Sequence, residues 1–548
     1  MRAFLCLIAA LICISAAPAQ DHPSPTATSQ SAAILPGMGH HHHPISTSSP
    51  EAQRFFDQGL TLDYAFMHDE AARSFQKAAD LDPKAAMPYW GLALVLGPNY
   101  NVDVDPDHEK AAHFAIEKAK GLMASANESE KAYINALAQR YTNDPKPDFK
   151  KLAQNYANAM KEVSKRYPDD LDAATLYAEA LMDLRPWQLW TVDGKPVEDT
   201  EEIVAVLESV LQRDPEHIGA NHYYIHAMEA SPHPERALPS AKRLETLVPG
   251  AGHLVHMPGH IYYRTGDYSL SAASNEAAVA ADMAYVKETN DQGMYPLMYT
   301  SHNYHFLTYS RMQEGRFEDA KKAADEMVSN VAPHANMMPE FMAGQFLATP
   351  GFVLLRFNRW SEILALPQPD PKNAALAALS HFARGSAFAA TGDLKSAESE
   401  RQALTRAVNA IPADAPFGYN MAKDIAGTLA GGILNARIAE ASGNRKAAID
   451  SLRKAVEMQD RMSYDEPPDW FYPVRESLGG ALLRDGQAAE AEQVFREDLQ
   501  RNPRNGRSLF GLWQSLVAQK KMADADWARR EFMVAWKSAD TQLRIEDL

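Results

Sequence analysis

Cysteine is almost absent from this chain: 548 residues contain two, Cys6 and Cys13. Both fall in a segment with the marks of a secretory signal over residues 1–19. Arg2 supplies the charged start, Phe4 to Ile14 the apolar run, and Ala17-Pro18-Ala19 a small-residue cleavage site. The mature chain is therefore expected to have no disulfide, no thiolate ligand and no thiol nucleophile. Zinc fingers and iron–sulfur clusters are excluded, and any metal must be held by His, Asp, Glu or Met. Long apolar runs are missing as well. Phe4 to Ile14 is too short to span a bilayer and no later run is long enough. Cys13 follows Ile12, where a lipoprotein signal requires a small residue, so no lipid anchor is expected. These absences predict an exported protein, periplasmic or secreted, with no membrane span.

Other chemistries are missing too. There is no Gly-rich phosphate loop and no Gly-x-Ser-x-Gly turn of a hydrolase. Basic charge is short: 54 Lys+Arg face 71 Asp+Glu, a formal net charge of −17. An acidic balance spread along helices argues against nucleic acid and anionic membrane surfaces as partners.

Residues 20–50 are rich in Pro, Ser, Thr and Ala and read as a disordered leader, interrupted by His40-His41-His42-His43. That tract either gathers Zn, Ni or Cu or is neutral low-complexity sequence. From residue 51 to 548 the pattern is helical and repetitive. Gly59, Ala71, Phe75, Ala78 and Pro83 stand at the spacings of the tetratricopeptide repeat, a helix–turn–helix unit. The frame returns at Gly266, Tyr268 and Ala278; at Gly315, Phe317 and Ala320; at Gly385, Gly392 and Ala397; and at Gly479, Gly486, Ala491, Phe495 and Pro503. With weaker copies this makes about eleven repeats. The expected fold is an all-α, right-handed superhelical solenoid with a concave groove, its C-terminal repeats running from 344 to 548. Three insertions, around residues 186–196, 283–299 and 458–473, are expected to be loops, the first a short hairpin through an Asp-Gly turn.

Histidine is concentrated where the rest is ordinary. Of 19 in the chain, seven fall in three short segments: His222 and His226; His253, His256 and His260; His302 and His305. Spacings of three and four bring side chains onto one face of a helix. In the repeat frame these residues, with Glu229, take the groove-facing positions of three successive first helices between residues 218 and 313. Converging neutral imidazoles are what a transition-metal site requires, and Cu, Zn, Fe or Mn all suit them. Pro258 interrupts the middle helix and leaves the direction of His253 open. Eight candidate ligands exceed one ion's needs, so either two metals bind or some histidines serve behind the ligands. The groove otherwise offers only Arg264 as a cation, too little for the carboxylate clamp of a peptide-binding repeat protein.

A second dense segment runs from Asp465 to Glu476. Arg475 is a candidate to orient an anionic substrate, Trp470 and Tyr472 to form its wall, and Glu466 and Glu476 to face the groove. The bland reading is a Pro-rich linker closed by an Arg–Glu pair.

In combination these segments resemble a group of exported bacterial tetratricopeptide repeat proteins. The resemblance is carried by His222-Tyr-Tyr-Ile-His226 with Glu229, by Ala251-Gly-His253-Leu-Val-His256-Met-Pro-Gly-His260-Ile, and by His302-Asn-Tyr-His305-Phe. Phe56-Asp-Gln-Gly-Leu with His68, Leu96-Gly-Pro-Asn99, and Glu466-Pro-Pro with Trp470 and Arg475 extend it across nearly the whole mature chain. Members often carry cysteines near the first Trp-Gly helix, where this chain has Ala85, Ala86 and Pro88. The resemblance implies the fold and ranks His68, Asn99, Glu466 and Arg475 as groove companions, but names no substrate. Two functions follow. One is a metal-binding protein, in its sharper form a metalloenzyme acting on a small organic substrate, with Glu229 as ligand or base and Arg475 as substrate holder. The other is a scaffold binding a partner protein or peptide without chemistry.

Overall fold

The computed structural model describes residues 32–103, 106–291, 293–338 and 340–548. The expected signal at 1–19 lies outside them. The described chain is an all-α superhelical repeat array; its one small sheet pairs Pro416–Phe417 with Asn420–Met421. None of the described helices is long and apolar enough to cross a membrane.

The repeat consensus works through one contact. Phe75, on the second helix of its pair (His68–Leu81), lies between Gly59 on Pro50–Asp63 and Gly91 on Met87–Val95. A Cβ on Gly59 would meet the Phe75 ring at 2.7 Å and one on Gly91 at 2.5 Å. The aromatic ring therefore fixes the spacing of two successive first helices. Phe495 does the same between Gly479 and Gly511 near the other end. Helix starts are set locally: Ser49 accepts from the Ala52 amide, and Asn127 with Glu130 forms a capping box.

The array is not an open groove. Two large apolar cores, one from Leu35 to Tyr295 and one from Tyr309 to Leu548, are folded back on each other. Tyr268 donates to the Pro503 carbonyl at 3.2 Å, and Arg504 pairs with Asp267. Thr541 donates to the Gly315 carbonyl at 2.7 Å, while the Trp536 ring lies against Gly315. The C-terminal repeats thus cover the histidine-bearing ones. The 186–196 insertion forms the expected hairpin, with Trp190 bridged to Pro196 and the Thr191 amide donating to Lys195 at 2.9 Å.

The leader departs from expectation. Residues 32–49 are a docked strap. The Leu35 amide donates to Gln58 at 2.7 Å, the Gly250 amide donates to Gly37 at 2.9 Å, and His42 meets Asp57 at 2.8 Å. Its anchor is Asp172, buried under His43 (2.7 Å), His41 (3.0 Å), His217 (3.3 Å) and the Tyr64 hydroxyl (2.6 Å). The partners stand 129 residues apart for His43, so local composition carried no sign of them.

Burial alone would push the His43 pKa down; its hydrogen bond to Asp172 and the charge there outweigh burial and raise it to about 8. Burial likewise opposes the ionised form of Asp172, yet its histidine partners hold it well below the ordinary value. A raised histidine pKa gives stability that is complete below about 6.5 and lost as pH rises through about 8. The strap is therefore expected to stay protected at pH 6.5 and open above pH 8. Hydrogen exchange of residues 32–49, normalised to intrinsic rates, checks this; flat protection to pH 9 would contradict it.

Candidate metal centre

Helix Ile218–Glu229 starts on His217, whose Nδ1 accepts from the Ala220 amide at 3.2 Å, and carries His222, His226 and Glu229 on one face. The next first helix is broken into Gly252–His256 and Pro258–Thr265. Pro258 has no amide hydrogen to give, and the chain continues through the His260 amide on Met257 at 3.2 Å and the Met257 amide on His253 at 3.1 Å. His253 nevertheless points into the same cluster as His222. Helix Ser301–Gln313 adds His302. Side-chain atoms gather within 4.8 Å of one another in three sets: His222, His226 and His253; His256, His260 and His302; His226, Glu229 and Glu466. The five histidines other than His302 are at most 2% exposed.

The hydrogen bonds fix which ring nitrogen faces inward. His222 Nδ1 lies 2.7 Å from the Tyr64 carbonyl, which only accepts, so the proton is on Nδ1. His256 Nδ1 lies 2.7 Å from Asn275 Oδ1, and Asn275 is oriented by giving its Nδ2 to the Ser271 carbonyl at 2.8 Å. His226 Nδ1 meets Glu229 Oε1 at 2.8 Å, and His260 Nδ1 meets Glu229 Oε2. His222 and His256 therefore turn an Nε2 lone pair inward, and His226 and His260 do the same where an ionised Glu229 accepts from their Nδ1. His226 Nε2 is buried with no partner. His256 and His260 bring their Nε2 atoms to 2.5 Å, and His222 Nε2 lies 3.1 Å from His253 Nε2. Imidazoles held by an outer acceptor, with inner lone pairs converging, are the arrangement of metal ligands.

The electrostatics agree. Burial first, then neighbouring imidazoles, hold His222, His226, His253, His256 and His302 well below the ordinary histidine pKa, so they stay neutral at pH 7. Burial pushes Glu229 up to about 8, and burial, then the neighbouring Glu229, raises Glu466 well above the ordinary carboxyl value. Glu466 reaches His260, and Tyr464 approaches Glu229 at 3.4 Å and Glu466 at 3.3 Å. Arg264 is occupied, giving its Nε to the Glu229 carbonyl at 2.8 Å as a helix-end cap. Two buried carboxyl groups that burial drives toward the protonated form thus lie among neutral rings, and a bound cation would favour their ionised form.

Aromatic rings enclose the cluster. Phe66 packs on His222 (4.6 Å), His226 (5.9 Å) and His253 (5.4 Å), and Phe306 on His256 (5.0 Å), His260 (4.7 Å) and His302 (5.4 Å). Phe66 has φ +55° and Trp187, 5.6 Å from His226, has φ +62°. Bulky residues in the left-handed region are strained, and such strain gathers at functional sites.

No family model matches this chain. No curated protein matches it either. Among solved structures, human IFIT1 in a dimer with m7Gppp-AAAA is 13% identical, covering 87% of this chain and 95% of that one at a TM-score of 0.34. Yeast Tom70 is 12% identical over 88% and 92%, at 0.28. The APC/C hetero-tetramer Cut9–Hcn1 is 14% identical over 85% and 76%, at 0.29. The likeness is to helical repeat proteins alone, and no ligand or partner of theirs carries over.

Several expected site residues stand elsewhere. His305, three residues after His302, turns about 60° away from its direction and packs on Tyr309 (4.7 Å) and Phe346 (5.3 Å). Arg475 is forked onto Asp460 at 2.6 and 2.7 Å, which leaves no guanidinium free for a substrate. Trp470 and Tyr472 are core residues, Trp470 against Phe352, Phe382 and Phe471 and Tyr472 against Phe471 and the Arg356 guanidinium. Glu476 is taken by Arg356, Arg507 and Asn505. These four belong to the closure of the array rather than to a substrate wall. His68 and Asn99 do meet, at 3.1 Å, behind Phe66, and Asn99 Oδ1 also accepts from the Asn101 and Val102 amides. Glu466, placed with the substrate residues by sequence, sits among the candidate ligands instead. Missed entirely were Asn275, the Tyr64 carbonyl, Tyr464, Phe66 and Phe306. The one available signal was Gly259, where a Cβ would come 2.7 Å from Asn275 Nδ2.

Proposed function

We propose that this is an exported helical-repeat protein that holds a transition metal in the buried cluster of His222, His226, His253, His256, His260 and His302. The observation that carries the reading is the outward anchoring of four Nδ1 atoms with four Nε2 atoms turned inward, one of them, on His226, without any partner. Imidazole and carboxylate without sulfur suit Cu(II), Zn, Fe or Mn, and the chain's helices leave no thiolate to narrow the choice. The near-zero exposure of five of these rings counts against the peptide-groove alternative, since a peptide reads accessible side chains. In the metalloenzyme form of the reading, the bound ion supplies Lewis-acid or redox chemistry to a small organic substrate, and Glu229 and Glu466 hold protons beside the ligands.

Elemental analysis of tag-free mature protein tests this. One or two equivalents of a single metal are expected, lost in a His256→Ala/His260→Ala variant that keeps its helical circular dichroism. Metal-free wild type that also takes up none of Cu, Zn, Fe or Mn would overturn the reading.

A further inference from the structure

Resting on that metal-binding reading, we infer that the cluster is two positions rather than one: a first ion held by His222, His226 and His253, and a second by His256, His260 and His302, coupled through Glu229.

The two triads are built alike and separately. Each holds one close pair of imidazole nitrogens, His222 with His253 at 3.1 Å and His256 with His260 at 2.5 Å. Two ligands of one tetrahedral ion bonded at about 2.0–2.1 Å stand about 3.3 Å apart. The first pair is already near that spacing, and the second reaches it by parting less than ~1 Å. Each triad has its own aromatic wedge, Phe66 for the first and Phe306 for the second. Each has its own acceptor outside Glu229, the Tyr64 carbonyl and Asn275.

Six imidazoles crowd a single first-row ion, whereas three with one or two further places open are the usual set for a catalytic site. The cross-boundary pairs, His226–His260 at 5.8 Å and His253–His256 at 5.9 Å between centroids, are wider than the two closest pairs of either triad (4.9 and 4.9 Å; 4.5 and 4.8 Å) and similar to its third (6.1 Å; 6.0 Å). Glu229 spans that boundary. Its Oε1 takes the Nδ1 proton of His226 and its Oε2 that of His260, so one carboxylate orients a ligand of each ion. Glu229 is in this arrangement a positioning residue behind the ligands, and its one carboxyl group is shared by both positions. Glu466, held by His260 and Tyr464 and grouped with His226, would complete either set by leaving those partners.

The test uses the full mature chain in a His40→Ala/His42→Ala background, which removes the exposed strap imidazoles from the count. Metal-free protein is loaded with Cu(II), desalted and analysed by elemental analysis and by electron paramagnetic resonance. Two equivalents with a dipole-broadened, coupled signal are expected. A His222→Ala/His253→Ala variant and a His256→Ala/His302→Ala variant should each retain one equivalent with an isolated signal. One equivalent in the parent protein, with an isolated signal, would overturn the two-position inference and leave the metal site standing. No bound copper, zinc, iron or manganese would overturn both. If a variant fails to fold, the count and coupling in the parent protein decide alone.

Discussion

Replacing Glu476 with alanine is expected to destabilise the protein by about 3–5 kcal/mol, the cost of leaving buried charges without their partner. Glu476 is 0% exposed, accepts from both terminal nitrogens of Arg356 and from Asn505 at 2.8 Å, and is ion-paired with Arg507, whose Nε lies 3.0 Å away. Arg356 comes from the repeats after the histidine segment, Arg507 from a helix 151 residues further on. Burial, then repulsion from Arg356, lowers the Arg507 pKa to about 10, so two buried guanidiniums already share one carboxylate. Alanine removes the compensating charge and leaves both in a poorly solvated place. The check is the urea midpoint, followed by fluorescence and circular dichroism so that partial unfolding of the C-terminal repeats registers. A Glu476→Gln variant, which keeps the shape and one acceptor, should lose less. A midpoint shift equal in the two variants would show that the charge alone, and neither the shape nor the remaining acceptor, holds this junction.

Glu229→Gln should leave the fold intact and weaken metal binding by about 10- to 100-fold, the usual cost of removing an outer-shell partner. A carboxylate accepts with both oxygens, whereas a glutamine amide accepts with one and donates with the other end. One of the two facing Nδ1 protons, on His226 or His260, must then lose its acceptor and meet an N–H instead. The ring that loses its acceptor is free to rotate or change tautomer, which turns its Nε2 lone pair away. Competition titration against a chelator of known affinity, with thermal melts of the metal-free forms, separates this from a loss of stability. Unchanged affinity would mean that Glu229 does not orient the rings.

The repeat architecture was legible because its determinants are local and periodic. Gly59 and Phe75 announce the pair that the structure brings into contact, and Gly479 with Phe495 repeats it. The histidine face was legible for the same reason: spacings of three and four on a helix fix a direction, and six of the seven converge. His305 fails because residues three apart on a helix still differ by about 60° in direction, and its neighbour helix supplies Phe346 rather than a ligand. The Asp465–Glu476 segment shows the limit of composition. Its polar and aromatic residues read as one site, yet Glu466 turns to the histidines while Trp470 and Tyr472 turn into the core and Arg475 and Glu476 into ion pairs. Whether a side chain faces one way or the other there depends on repeats far away in sequence. The strap shows the same limit from the other side, since its low-complexity residues are ordered by Asp172 and Asp57 rather than by each other.

Tyr464 touches Glu229 across 235 residues of chain. During synthesis the first five imidazoles are therefore complete in sequence long before the residues that roof them exist. Contacts of such long span form late in folding, after the local helix pairs. The centre is in this sense a cup made early and a cover made last, and an ion bound there as proposed would enter and leave at the pace of the cover. Exchange should follow the slow opening of the 458–473 segment rather than the fast ligand kinetics of an exposed histidine cluster.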